Sequence, residues 1–129
     1  MARTGSTPSA DARAFELPAM AQSMAHEHAE VWKAFQNLGE AASRAGPLDS
    51  RTRRLVHLAM SIAVGSEGAT HSHARRALAE GLSAPELEHV AMLAITAVGW
   101  SQAIKGLSWL RDITRPEPHG ESSQAPAAS

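Results

Sequence analysis

The chain has no cysteine and no tyrosine, and its aromatic residues number only five in 129: Phe15, Trp32, Phe35, Trp100 and Trp109. Without cysteine there is no disulfide scaffold, no thiolate nucleophile, no Cys-ligated zinc or iron–sulfur centre and no dithiol redox cycle. An excess of one charge is also missing, because 12 Lys+Arg stand against 13 Asp+Glu for a formal charge of −1. With no basic footprint and few stacking faces, a nucleic-acid partner is not expected. No apolar run approaches the roughly 18 residues that cross a bilayer. Residues 1–11 are polar and lack the apolar stretch of a secretory signal. The expectation is a soluble cytoplasmic protein with no membrane partner. The sequence also has no Gly-rich phosphate loop, G-x-S-x-G elbow or kinase signature.

What is present divides into three. Residues 1–15 and 116–129 are rich in Ala, Ser, Thr, Gly and Pro and poor in large apolar side chains. Such segments bury too little to offset ordering entropy, so both are expected to be disordered tails. Residues 16–115 form one domain of about 100 residues, small for a self-sufficient core, and oligomerisation is a natural way to bury more.

This middle reads as helix throughout, with Ala, Leu, Glu and Arg dominant and no sustained period-2 alternation. A first helix is expected from about Pro18 to Ala45, stopped by Gly46-Pro47 and weakened or bent at Gly39. A second starts after Asp49 or Ser50, carries Leu55, Leu58, Ala59 and Ile62 at i, i+3, i+4 and i+7, and ends at Gly65. A third runs from Ser66 or Glu67 to Glu80, with Gly81 just beyond. A fourth opens on the capping box Ser83-x-x-Glu86 with Pro85 in its first turn. Its apolar positions Leu87, Val90, Ala91, Ala94, Ile95 and Val98, joined by Met92 and Leu93, predict burial nearly all round. A fifth follows Gly99, carries Ala103, Ile104, Leu107 and Leu110, and stops before Pro116. Met20, Met24, Met60 and Met92 fall at helical positions suited to core filling.

The chemistry-bearing residues concentrate in the stretch from Gly65 to Arg76, which holds Glu67, His71, His73, Arg75 and Arg76 at the start of a short helix. Glu67 and His71 share a face if the helix already includes Glu67, whereas His73 lies about 200° round from His71, so the two imidazoles cannot enter one pocket together without distortion. A carboxylate beside an imidazole suits general acid/base work, and an arginine pair suits a carboxylate substrate. Against this stands the plainer reading of a packed His, a solvated His and surface ion pairs. His26, Glu27, His28 and Glu30 look metal-like, but the zincin pattern requires a histidine where Glu30 stands, and a solvated face is the simpler reading. His57 lies in an apolar helix and reads as a core or interface residue; His89 precedes an apolar stripe. Arg51, Arg53 and Arg54 cluster in a first helical turn, where the dipole disfavours them, so acidic partners, an anion or another subunit must compensate.

The ordered series Leu48-x-x-Arg51-x-Arg53-x-Leu55-Val56-x-Leu58-Ala59, then Glu67, His73-x-x-x-Ala77-x-x-x-Gly81, Ser83-x-x-Glu86-x-x-His89-Val90 and Gly99 resembles the carboxymuconolactone decarboxylase family. The resemblance covers about residues 48–109. It implies an all-α, five-to-six-helix alkylhydroperoxidase-D-like bundle that assembles as a homo-oligomer, trimer or hexamer, with pockets near subunit contacts. The peroxidase branch of that fold carries a Cys-x-x-Cys pair where this chain has Ser66 and Ala69, so dithiol chemistry is lost. His73 matches the family's histidine. The family's carboxylate four residues earlier is replaced by Ala69, and Glu67 is the proposed substitute.

The expectation drawn from this is a decarboxylase-like lyase or isomerising enzyme, without cofactor or metal, acting on a small carboxylated metabolite. His73 would be proton donor or base and Glu67 would orient it. Arg53, Arg76, His71 and His89 are the substrate-binding candidates. The alternatives are a non-catalytic oligomeric small-ligand-binding protein on the same fold, and metal-assisted chemistry through His71, His73, Glu67 or the His26 segment.

Overall fold

Three helix starts in this chain are set by short polar side chains that satisfy the free amides of a first turn. Asp49 accepts from Thr52 N at 2.7 Å, which holds its carboxyl below the usual range. Ser66 accepts from Ala69 N at 3.3 Å. Ser83 accepts from Glu86 N at 3.3 Å while Glu86 accepts from Ser83 N at 2.7 Å, closing the expected capping box. The computed structural model describes residues 18–117. The expected tails at 1–15 and 116–129 lie outside these residues, apart from Pro116 and Glu117. Six helices result: α1 (Ala19–Glu27), α2 (Ala29–Arg44), α3 (Ser50–Ala63), α4 (Glu67–Ala79), α5 (Ala84–Val98) and α6 (Trp100–Thr114). No strand occurs among the described residues.

The first expected helix is in fact two. The chain leaves helical geometry at His28 (φ −132°, ψ 57°), with neither glycine nor proline at the break. Gly39 lies inside α2 without interrupting it. Elsewhere the glycine signals hold. Gly99 has φ 95° and serves as both the end of α5 and the start of α6. A side chain there would be strained.

Helices α3 to α6 pack on one another, whereas α1 and α2 pack chiefly on each other. The core is Leu58 and Ile62 of α3, Ala74 and Ala77 of α4, Leu82, then Leu87, Ala91 and Ala94 of α5 and Ala103, Leu107 and Leu110 of α6. Five of these eleven side chains are alanines, which lets the axes approach closely. Gly106 takes this furthest, with α6 backbone lying directly against Ile62.

Two expectations about burial are corrected. Met92, Leu93 and Val98 of α5 are exposed, so that helix is buried on one face only. Met20, Met60 and Met92 are exposed rather than core filler. Met60, Leu93, Val90 and Val98 line an apolar groove of about 620 Å³ between α3 and α5. Helix α2 buries nothing and shows an apolar stripe of Val31, Phe35 and Leu38.

Candidate functional site

Two polar stripes face each other across the α3–α4 contact. On α3, Ser50, Arg53, Arg54 and His57 recur at i, i+3, i+4 and i+7; on α4, His73, Arg76 and Glu80 recur at i, i+3 and i+7. They line a cleft of about 750 Å³ whose far wall is α2, with Trp32 and Phe35 in contact at 5.9 Å between ring centroids.

Arg54 organises the cleft. Its Nε and Nη2 donate to the two carboxylate oxygens of Glu80 at 3.0 and 2.7 Å. Its Nη1 lies 2.9 Å from His73 Nδ1. The His57 and His73 rings are 5.3 Å apart and inclined at 38°. Burial lowers the His73 pKa from 6.5 to about 4, helped by the positive charge of Arg54 and by His57 and Arg76, with Glu80 opposing. The ring is therefore neutral at pH 7.

Of the other cationic groups, Arg44 faces Glu40 at 3.9 Å, and Arg53 donates to the Leu48 carbonyl. The Arg76 side chain is half-buried and makes no hydrogen bond or ion pair with any described residue. The cleft thus offers a guanidinium not spoken for, beside neutral imidazole and aromatic surface.

Arg53 and Arg76 therefore join His73 as expected, and the other candidates do not. Glu67 does not orient His73, because the α4 turn carries it about 120° round the helix and out of the cleft. There it meets His71 and Asp112, and His71 Nε2 lies 2.9 Å from Asp112 Oδ2. Glu67, His71 and Asp112 each offer a ligand atom within 4.8 Å of the others. This is the one such triplet among the described residues. Its composition suits a divalent cation, although the His71–Asp112 pair already engages two of its members. His89 lines the apolar α3–α5 groove instead. Arg51 pairs with Glu86. The break at His28 takes His26 and Glu30 off one continuous helix face. His57, expected in a core or interface, is an exposed wall of the cleft. Arg54 as organiser, Glu80 and the Trp32–Phe35 wall were not anticipated as site residues. The two stripes at helical spacing were the available signal.

Ser66 and Ala69, at the positions of the redox pair, form the α4 cap instead: Ser66 Oγ accepts from the Ala69 amide. An all-helical bundle with this histidine in the middle of α4, one turn beyond the cap formed by Ser66 and Ala69, defines a class, and the sequence comparison agrees with it. Residues 29–112 match the carboxymuconolactone decarboxylase family, and the chain belongs to that family. No curated protein and no solved structure matches the chain.

Proposed function

We propose that the protein is a carboxymuconolactone decarboxylase-like enzyme that acts by histidine acid/base chemistry on a small carboxylated metabolite, and not as a dithiol peroxidase. The observation that carries this reading is the cleft itself, where His73 and His57 face Arg53 and the uncommitted Arg76. Decarboxylation requires a held carboxylate, a donor for the developing enolate oxygen and a proton source for carbon, and the cleft has groups for each. Trp32 and Phe35 give the apolar surface that a lactone or other unsaturated ring needs. With Ser66 and Ala69 in the cap of α4, thiol chemistry has no place there.

Assembly belongs to the same proposal. The apolar groove between α3 and α5 and the bare stripe on α2 are surfaces that a homo-oligomer, trimer or hexamer, would cover. The experiment is turnover of a panel of small lactone acids by wild type and by His73→Ala. Activity lost in the variant supports the reading, and equal activity removes His73 from it.

A second reading, a non-catalytic ligand-binding protein, draws on one observation: no carboxylate among the described residues hydrogen-bonds to His73. A ligand that titrates into the cleft without turnover across the panel would favour it.

A further inference from the structure

We propose that the two facing imidazoles divide the chemistry, with Arg54 fixing His73 as a neutral hydrogen-bond donor through Nε2–H and His57 carrying the mobile proton. The proposal rests on the catalytic reading above and refines the roles within it.

The argument starts from donor inventory. A guanidinium has five N–H donors, no acceptor, and a charge that it does not lose in a protein. An imidazole nitrogen 2.9 Å from Arg54 Nη1 must therefore present its lone pair, so Nδ1 of His73 is unprotonated and the proton sits on Nε2. Arg54 cannot easily turn away, since both oxygens of Glu80 hold its other side. Burial first, then the charge of Arg54 with His57 and Arg76, keeps the ring in this state, with Glu80 opposing. Arg54 and His57 come from α3, Arg76 and Glu80 from α4, and the Glu40–Arg44 pair from α2 across the cleft. A neutral ring with one nitrogen engaged and the other protonated has no free lone pair. It can polarise an oxygen, but it is a poor base.

His57 has the complementary properties. Its ring is exposed to the cleft, stands 5.3 Å from that of His73 and hydrogen-bonds to no described residue. Its nitrogens are open to a ligand. For a carboxylate on the saturated carbon next to a carbonyl, or the vinylogue of that arrangement, the step balances as follows. The C–C bond to the carboxylate breaks, CO2 leaves, and the electron pair passes to the carbonyl oxygen as an enolate. His73 Nε2–H donates to that oxygen. The imidazolium form of His57 then gives its proton to carbon as the carbonyl re-forms, and water reprotonates His57. No oxidant or reductant is needed. Arg54 is a positioning residue, acting through His73.

The test uses the full chain and needs no substrate for its first two arms. Long-range 1H–15N spectra of wild type should show His73 as a single Nε2–H tautomer between pH 8 and about 5.5. In Arg54→Gln the tautomers should mix and the His73 titration midpoint should move up from about 4. Carbethoxylation by diethyl pyrocarbonate, mapped by peptide mass, should modify His57 about tenfold or more faster than His73, because the reagent needs a free imidazole lone pair. A wild-type Nδ1–H or mixed tautomer overturns the proposal, as do equal modification rates, and neither measurement depends on Arg54→Gln folding. With any turned-over lactone acid, His57→Gln should lower kcat by about 100-fold or more with KM changed less than about threefold. An unchanged kcat overturns the role of His57. If no lactone acid is turned over, the functional reading fails, while tautomer and reactivity still decide which imidazole keeps a free lone pair.

Discussion

The close approach of α6 to α3 makes a sharp prediction about Gly106. A Cβ added there would lie 2.9 Å from Ile62 Cγ1 and closer still to Cγ2, while Ile62 is completely buried. On helix propensity alone, Gly→Ala in the middle of α6 would stabilise by about 1 kcal/mol. The clash opposes this. Ile62 is β-branched, on a helix, and so confined to essentially one rotamer. Relief must come from moving α3 against α6, and overpacking of this kind costs about 1–3 kcal/mol, sometimes more. An overlap this deep with a fully buried, one-rotamer side chain belongs in the upper part of that range, about 2–3 kcal/mol, so the net expectation for Gly106→Ala is a loss of about 1–2 kcal/mol, read as a lower urea midpoint by circular dichroism. Gly68→Ala is the control, because nothing lies within 4 Å of its Cβ, and it should stabilise by about 0.5–1 kcal/mol. Ile62→Ala alone should cost about 2–5 kcal/mol for the cavity. Adding Gly106→Ala to it should cost little further, since the two nearest carbons are gone and only Cβ of residue 62, 3.2 Å away, remains. Stability of Gly106→Ala equal to or above wild type, or strictly additive losses in the double variant, would refute the reasoning.

Three further outcomes are expected. The folded chain holds the His73 pKa at about 4 against an ordinary 6.5, so between these values the unfolded chain binds the extra proton. The His73 contribution is full above about pH 6.5 and lost as pH falls towards 4; solvent screening of the half-buried ring reduces it to about 1–2 kcal/mol. Unfolding free energies measured across that window should fall with acid in wild type and be flatter in His73→Asn. Ser83→Ala removes the acceptor for Glu86 N and half of the capping box, and should cost about 1 kcal/mol in denaturant melts. Leu93→Lys places a charge in the α3–α5 groove; sedimentation velocity should show a smaller species than wild type, and an unchanged distribution would remove that groove from the proposed interface.

Local rules carried the fold because the signals were redundant. Ser83, Pro85 and Glu86 cap α5 in concert, and Gly65, Gly81 and Gly99 sit where the backbone takes positive φ. The break at His28 escaped because no residue there forbids a helix. The exposed face of α5 escaped for a different reason: periodicity reports which residues are apolar, and cannot say whether a neighbour covers them. In the site, His73, Arg53 and Arg76 were legible as residue types on one helix or its predecessor. The Arg54–His73 contact spans 19 positions of sequence and depends on how α3 crosses α4. Glu67 was nearer to His73 along the chain than Glu80, yet Glu80 shares its stripe and Glu67 does not.

The wall formed by α2 is thinly anchored: its side chains bury nothing, and its packing is chiefly with α1. In a lone chain the amides of α2 should exchange with solvent by opening events far smaller than global unfolding. Any ligand bridging Trp32 or Phe35 to the α3–α4 stripes would suppress those openings, so occupancy becomes measurable as slowed exchange confined to one helix. Part of the binding energy would then be spent on immobilising that wall, and affinity would rise wherever a neighbouring subunit had already immobilised it.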